Sequence, residues 1–172
     1  MRYKIILITF FSILLCCTAS YAEEADVRNV RWGMSIDDVQ MNEFSFLESN
    51  KNGTLVYDIE KFSEKCKLIY IFENNKLVQC SYLFNINIHN DTKNIYSDIY
   101  KTICKKYKKI GTKSWMGEHE VFDGGKSYIV LAANRCILLS YLSPQFFLKE
   151  ELKHNKKMKE NEEKYNDDLK GL

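Results

Sequence analysis

The chain has 172 residues, with 25 lysine and arginine side chains against 23 aspartate and glutamate side chains. Residues 1–22 contain Arg2 and Lys4 but no acidic residue, so without them the basic and acidic side chains balance. A chain of this length suits one ordinary domain. A neutral chain lacks the positive field that attracts nucleic acid or anionic membranes, so nucleic acid is excluded as an expected partner.

The N-terminal segment has the pattern of a signal peptide. Two basic residues precede an almost continuous apolar run over residues 5–17, and Ser20 and Ala22 supply the small side chains expected at a cleavage site. The run is shorter than the roughly 20 apolar residues that a membrane-spanning helix needs. We therefore predict a signal peptide over residues 1–22, no transmembrane anchor after its removal, and a periplasmic or secreted protein.

A lipid anchor on Cys16 or Cys17 is the alternative for this segment. Lipidation signals normally place glycine, alanine or serine directly before the modified cysteine, whereas Leu15 or Cys16 occupies that position here. The sequence therefore favours cleavage over lipidation. The remaining chain is expected to form a single α+β domain over residues 23–148 and a charged helical tail over residues 149–172.

The first helix of the domain has a clear start. Gly33 predicts a turn, and Ser35 fits the N-cap position of the helix that follows. Asp38 lies three residues after Ser35, where its carboxylate can accept from free backbone N–H groups and meets the positive end of the helix dipole. We expect the helix to end near Asn42.

A β-hairpin is predicted after this helix. Residues 55–62 alternate loosely, and two apolar segments follow at residues 66–72 and 77–84. Asn74 and Asn75 between them tolerate the positive φ that a tight turn requires.

The hairpin pattern also predicts the pairing of the two strands. With a two-residue loop, Phe72 faces Leu77 and Ile69 faces Cys80. This register places Cys66 and Cys80 on opposite faces of the hairpin, which argues against a disulfide between them.

Four cysteines remain beyond residue 22, and an even number in an oxidising compartment predicts at least one structural disulfide. The alternative is that they are small buried apolar residues. The sequence has no C-x-x-C pair, so thioredoxin-like redox, haem-attachment and zinc-ribbon sites are not supported. The disulfide candidates, with their pairing left open, are Cys66, Cys80, Cys104 and Cys136.

A second helix is predicted between Asp91 and Ile110, because apolar residues recur there at spacings of three and four. Gly111 is expected to end it. Lysines crowd its last turns, where cations complement the carbonyl end of the helix dipole. Together with a neighbouring tyrosine they also form a candidate partner contact, which consists of Lys105, Lys106, Tyr107 and Lys109.

The sequence from Ser114 to Leu142 predicts a second antiparallel meander with turns at residues 123–126 and 134–135. The tripeptide Ser-Tyr-Leu occurs at residues 81–83 and again 59 positions later, each time at the end of a meander that follows a helix. We therefore predict an α+β fold, in which an antiparallel sheet is built from two helix-plus-three-strand units with the helices packed on it.

A final helix is predicted to start with Ser143 as N-cap and Pro144 in the first turn. From Lys149 to Lys170 the chain contains seven basic and seven acidic residues. Helical pairs of opposite charge contribute only about 0.2–0.5 kcal/mol each, so a solvated tail is expected and docking on a partner is the alternative.

One motif resembles a known group of proteins. Trp32-Gly33-Met34-Ser35 with Asp38-Val39 resembles the W-G-x-S-x-x-E/D-V opening of small exported bacterial proteins, many of unknown function. The resemblance covers residues 28–110. The helix-plus-meander repeat is similar to the beta-lactamase inhibitor protein fold, also seen in a small lipoprotein of the outer-membrane assembly machinery. The resemblance implies an α+β fold of this type and a binding role, and it implies no catalytic residue.

No catalytic constellation is evident in the sequence. A G-x-S-x-G motif is absent, and residues 123–126 lack the full phosphate-loop pattern. We therefore predict a non-catalytic protein without cofactor that binds, inhibits or helps to assemble another envelope protein. The alternative is a thiol- or metal-dependent enzyme or redox protein that uses Cys104 or the segment Glu118-His119-Glu120.

Overall fold

The computed structural model describes residues 26–85, 92–113 and 119–170, so the predicted signal peptide lies outside the described residues. Within these ranges the order of elements is helix, four strands, helix, four strands, helix. The helices are α1 (Ile36–Asn42), α2 (Thr92–Lys106) and α3 (Pro144–Lys170). The strands are β1 (Phe46–Lys51), β2 (Thr54–Lys61), β3 (Glu64–Glu73), β4 (Lys76–Asn85), β5 (Lys108–Lys113), β6 (His119–Asp123), β7 (Tyr128–Ala133) and β8 (Cys136–Leu142).

These strands form one eight-stranded antiparallel sheet in the order β1-β2-β3-β4-β8-β7-β6-β5. The predicted α+β class is therefore confirmed. Four strands follow each of α1 and α2, where the sequence predicted three. The two additional strands, β1 and β5, are the edges of the sheet, and their largely polar sequences lack the strong apolar pattern that indicates interior strands.

Serine caps begin α1 and α3 as predicted. The hydroxyl of Ser35 accepts a hydrogen bond from the Asp38 backbone N–H at 3.2 Å, and the Asp38 carboxylate accepts from the Ser35 N–H at 3.3 Å. At the start of α3, the Ser143 hydroxyl accepts from the Phe146 N–H at 3.3 Å, and Pro144 is the first helical residue. Local sequence therefore determines where both helices begin.

The second helix ends earlier than predicted. α2 stops at Lys106, and both Ile110 and Gly111 lie in β5. The Tyr107 N–H still donates to the Ile103 carbonyl at 2.8 Å before the chain turns into the strand. The residues that follow pair with β6 instead, which satisfies the backbone groups of β5 that face that strand.

The predicted β3–β4 hairpin forms, but its register differs from the prediction. Tyr70, rather than Ile69, pairs with Cys80. The reason is a β-bulge next to the turn, which inserts one additional residue into β4 and shifts all later pairs. Cys66 and Cys80 are consequently buried on the same face, so the prediction that they lie on opposite faces was wrong.

Hydrophobic clusters cover both faces of the sheet. The larger cluster includes Ile99 and Ile103 of α2, and the smaller includes Phe147 of α3. Strand β6 contributes to both, because Phe122 belongs to the larger cluster and its neighbour Val121 to the smaller. Apolar side chains of α2 and α3 therefore belong to different clusters.

Helix α3 has 27 residues and a corresponding length of about 40 Å. Its first turns are anchored on the sheet, where the Phe147 ring stacks on Tyr128 at a centroid distance of 4.0 Å and Lys149 Nζ lies 2.6 Å from a carboxylate oxygen of Glu73. None of the helices in the described ranges is both long and apolar enough to cross a membrane.

Candidate functional site

The predicted partner contact at the end of α2 is basic, but part of it serves internal contacts. Lys105 and Lys106 are exposed, with Lys106 Nζ 5.1 Å from the centre of the Tyr107 ring. Tyr107 packs against the larger core cluster. Lys109 Nζ lies 2.6 Å from Glu120 Oε2. The four predicted side chains therefore lie near one edge of the sheet, where two of them stabilise the fold.

The four predicted disulfide candidates are free thiols in the structure. Cys66 and Cys80 are buried, Cys136 is half-buried and Cys104 is exposed on α2. Burial raises the pKa of Cys66 to about 11 and also raises that of Cys80, which makes both thiols poor nucleophiles. A disulfide among these cysteines stays a prediction.

The segment that contains His119 is divided between the two faces of β6. His119 is buried on the face under α3, where it lines a cavity with Glu150. On the opposite face, Glu120 accepts hydrogen bonds from Thr112 at 3.1 Å and from Lys109. Glu118 lies outside the described residues. Adjacent strand residues point to opposite faces, so Glu120 does not flank the imidazole. Within the described ranges, no group of three or more His, Cys, Asp and Glu side chains is placed to hold a metal ion.

Three exposed apolar side chains, which the sequence did not predict, lie where α1 leads into β1. Phe44 is 90 % exposed, Phe46 is 76 % exposed and Met41 is 70 % exposed. Large apolar side chains are mostly buried in folded proteins, so three exposed ones within six residues of sequence form a candidate interaction site. We call these three residues the aromatic edge.

A buried carboxylate fixes the backbone beneath the aromatic edge. Glu43 is only 6 % exposed and receives the Arg28 guanidinium at 2.7 and 3.1 Å. The Tyr70 hydroxyl donates to the same carboxylate at 2.9 Å. Ser45 donates to it twice, from its hydroxyl at 2.6 Å and from its backbone N–H at 3.1 Å.

This network determines which side chains point outward. Glu43 also closes α1, because its backbone N–H donates to the Val39 carbonyl at 2.9 Å. Glu43 and Ser45 are thus held on either side of Phe44, whose ring is left in solvent. Phe46 then begins β1 and is likewise exposed. The network therefore holds the backbone on both sides of Phe44.

Glu43 is ionised in the folded protein. Burial by itself would raise its pKa, but hydrogen bonds from Arg28, Ser45 and Tyr70 outweigh burial and hold the pKa below its usual range. The hydrogen bond between Arg28 and Glu43 also raises the pKa of Arg28. Burial is the main cause of the raised pKa of Tyr70. The charge of Glu43 is thus compensated within the network.

The Trp32-Gly33 motif has a structural role. The Trp32 indole N–H donates to the Lys126 carbonyl at 2.9 Å, which joins the N-terminal loop to the β6–β7 turn. Gly33 has a φ of +85°, which favours glycine, and its N–H donates to the Leu77 carbonyl at 2.9 Å. Trp32 itself is half-buried.

No family model, curated protein or solved structure matches this chain. The resemblance through the tryptophan-glycine motif therefore rests on that motif and on the pattern of elements alone.

Proposed function

We propose that this protein is an exported, non-catalytic protein-binding module of the bacterial envelope, an inhibitor or an assembly factor, and that it binds its partner through the aromatic edge. The observation that carries the proposal is the exposure of Phe44 and Phe46, which are the most exposed large apolar side chains in the described part of the chain.

The chemistry of the aromatic edge suits a protein partner. Phenylalanine and methionine are enriched in the buried centres of protein interfaces. Full burial of one phenylalanine side chain gains roughly 1.5–3 kcal/mol, so Phe44 and Phe46 together can contribute a large part of a binding free energy. The partner is expected to present an apolar pocket that receives these rings.

The buried network supports tight binding by reducing the entropy that binding must overcome. Glu43 and Ser45 hold the backbone on both sides of Phe44 before any partner arrives. A side chain on a backbone that is already fixed loses less conformational freedom on binding than one on a mobile loop.

The geometry of β1 favours side-chain contacts over the addition of a partner strand. The register of β1 against β2 shifts between Leu47 and Ser49, which interrupts the regular ladder of the strand. Bulges of this kind are a common device that discourages pairing at a sheet edge. We therefore assign recognition to the side chains of the aromatic edge.

We also infer that the sheet consists of two related units, each a helix followed by four strands. Strand β4 of one unit pairs with β8 of the other, and Ser81 faces Ser140 there with their hydroxyl oxygens 2.8 Å apart. These two serines begin the repeated Ser-Tyr-Leu tripeptides. The repeated order of elements supports the resemblance to the beta-lactamase inhibitor protein fold.

The proposal is tested in the source cells with the full chain of 172 residues, which carries a C-terminal affinity tag and is recovered from the envelope. Partners are crosslinked and identified by mass spectrometry for the unchanged chain, for Phe44→Ser with Phe46→Ser, and for Leu152→Ser with Met158→Ser. The last variant is the matched control, because it removes two other exposed apolar side chains, 70 % and 47 % exposed.

We expect one stoichiometric partner with the unchanged chain and with the α3 control, and its loss from the double phenylalanine variant. Retention of that partner by the phenylalanine variant would contradict the proposal. The same experiment measures the mass of the chain, which reports removal of residues 1–22 and the oxidation state of the cysteines.

A further inference from the structure

A cavity of about 200 Å³ lies between the first turns of α3 and the sheet. Its walls are mainly apolar and include Val130, Leu138 and Leu142 of the sheet and Phe146 of the helix. Protein interiors are normally packed as densely as organic crystals. An apolar cavity of roughly 150 Å³ is already large enough to bind benzene, so this cavity has room for one small aromatic molecule.

Polar groups converge on the same cavity. Gln79 and Ser140 reach it from β4 and β8, His119 from β6, and Glu150 from α3. A small number of polar groups in a mainly apolar cavity is the usual composition of a small-molecule site. The aromatic edge contributes none of its residues to this cavity.

The polar lining is rich in hydrogen-bond acceptors. The Gln79 side-chain amide donates to the Ser81 hydroxyl at 2.8 Å, so its carbonyl oxygen remains as an acceptor. The Ser81 and Ser140 hydroxyls are engaged with each other at 2.8 Å. The Glu150 carboxylate adds a negative charge and lies 3.8 Å from Lys153 Nζ, whose side chain is 76 % exposed. Such an exposed pair is weak and yields readily to a better-placed cation.

We propose that this cavity is a binding site for a small aromatic primary amine in its cationic form. The ring lies against Phe146 and Leu142, and the ammonium group donates hydrogen bonds to Glu150 and to the carbonyl oxygen of Gln79. Access is from the side of Glu150, whose side chain is 28 % exposed. The site is independent of the proposed partner surface.

Three probes with the same benzene ring and polar groups of different charge test the proposal: cationic benzylamine, neutral benzyl alcohol and anionic benzoate. Binding to residues 23–172 is followed by isothermal titration calorimetry and by NMR shifts at neutral pH. We expect saturable one-to-one binding of benzylamine, about tenfold weaker binding of benzyl alcohol, and no binding of benzoate. The expected tenfold ratio of the two affinities corresponds to the net free energy of one hydrogen bond to a charged group.

Two variants locate the site. Glu150→Gln is expected to lower the affinity for benzylamine to that for benzyl alcohol, and Ala132→Leu, which fills the cavity, is expected to abolish binding of both. Thermal unfolding checks that each variant folds, and Ala132→Val is the smaller filler that replaces Ala132→Leu if the latter does not fold. The variant Phe44→Ser with Phe46→Ser should bind benzylamine normally.

Three results would overturn the proposal. The first is the absence of saturable benzylamine binding to the unchanged chain. The second is equal binding of benzoate and benzylamine, which removes the role of Glu150. The third is undiminished binding by a folded Ala132 variant, which places the ligand elsewhere.

Discussion

The two edges of the sheet occupy equivalent positions and differ in chemistry. β1 and β5 each pair with a single neighbouring strand, and each contains a register shift, between Leu47 and Ser49 in β1 and between Lys109 and Gly111 in β5. Both edges therefore carry the bulge that commonly discourages unwanted pairing. The backbone does not distinguish them.

The side chains distinguish them. β5 begins with the exposed residues Lys108 and Lys109. Lysine on an edge strand commonly prevents pairing with another chain. β1 begins with the exposed Phe46 and follows the still more exposed Phe44. Lysine side chains thus discourage pairing at β5, whereas the aromatic edge exposes apolar side chains at the start of β1.

The largest expected effect concerns the support of the aromatic edge. Glu43→Gln leaves the Arg28 guanidinium without its buried partner, and loss of one member of a buried ion pair costs about 3–5 kcal/mol. The Arg28 side chain is 26 % exposed, so solvent compensates part of this loss. We therefore expect the free energy of unfolding, measured with urea, to fall by about 3 kcal/mol.

The matched control for this change is Glu48→Gln, which removes a surface ion pair with Lys67. The Glu48 side chain is 43 % exposed. Exposed pairs contribute about 1 kcal/mol or less. Equal losses for Glu43→Gln and Glu48→Gln would show that the buried network does not hold the edge.

The second prediction is the pH dependence of this support. The folded-state pKa of Glu43 lies below its unfolded value of about 4.3, so the carboxylate contributes stability above that pH. The contribution is lost as pH falls through the lower, folded-state pKa. Urea unfolding between pH 7 and pH 3 should therefore show a steeper loss for the unchanged chain than for Glu43→Gln, and parallel curves would contradict this assignment.

A smaller effect is expected at the opposite edge. Lys109→Met removes the ion pair with Glu120, in which the two side chains are 40 % and 21 % exposed. Partly exposed pairs of this kind contribute about 0.2–1 kcal/mol. Urea unfolding should show a loss in that range, and a loss as large as that of Glu43→Gln would remove the contrast between the edges.

The smallest effect on stability is expected for Phe44→Ser with Phe46→Ser. Surface substitutions away from caps and buried groups usually change stability by about 0.5 kcal/mol or less. These rings are 90 % and 76 % exposed, so urea unfolding of the variant should match that of the unchanged chain. A large loss would show that the rings stabilise the fold and are not kept for a partner.

Local chemistry made part of this fold predictable. The N-caps Ser35 and Ser143 are decided by neighbouring residues, and both were placed correctly. The β3–β4 hairpin was also predicted, because Asn74 and Asn75 adopt the positive φ expected for the turn. The bulge beside that turn was not predictable from alternation, which is why the faces of Cys66 and Cys80 were assigned wrongly.

The aromatic edge was not predictable, because the polar residue beside it is buried and its apolar residues are exposed. In the sequence from Glu43 to Phe46, polar and apolar residues alternate, and alternation normally places the apolar ones inside. Here Glu43 is buried by partners distant in sequence, Arg28 and Tyr70, and the phenylalanines are exposed. The position of the Tyr107 ring against the larger core cluster was likewise not predicted, because it depends on tertiary packing. A partner contact at Tyr107 stays a prediction.

The most direct test of the central claim compares the two edges in one partner assay. The partner identified by crosslinking is titrated onto the unchanged chain, onto Phe44→Ser with Phe46→Ser, and onto Lys105→Ser with Lys106→Ser. We expect the phenylalanine variant to lose at least 100-fold in affinity, the equivalent of about 2.7 kcal/mol, and the lysine variant to bind normally. Loss of binding by the lysine variant alone would assign recognition to the side of β5 and overturn the proposed role of the aromatic edge.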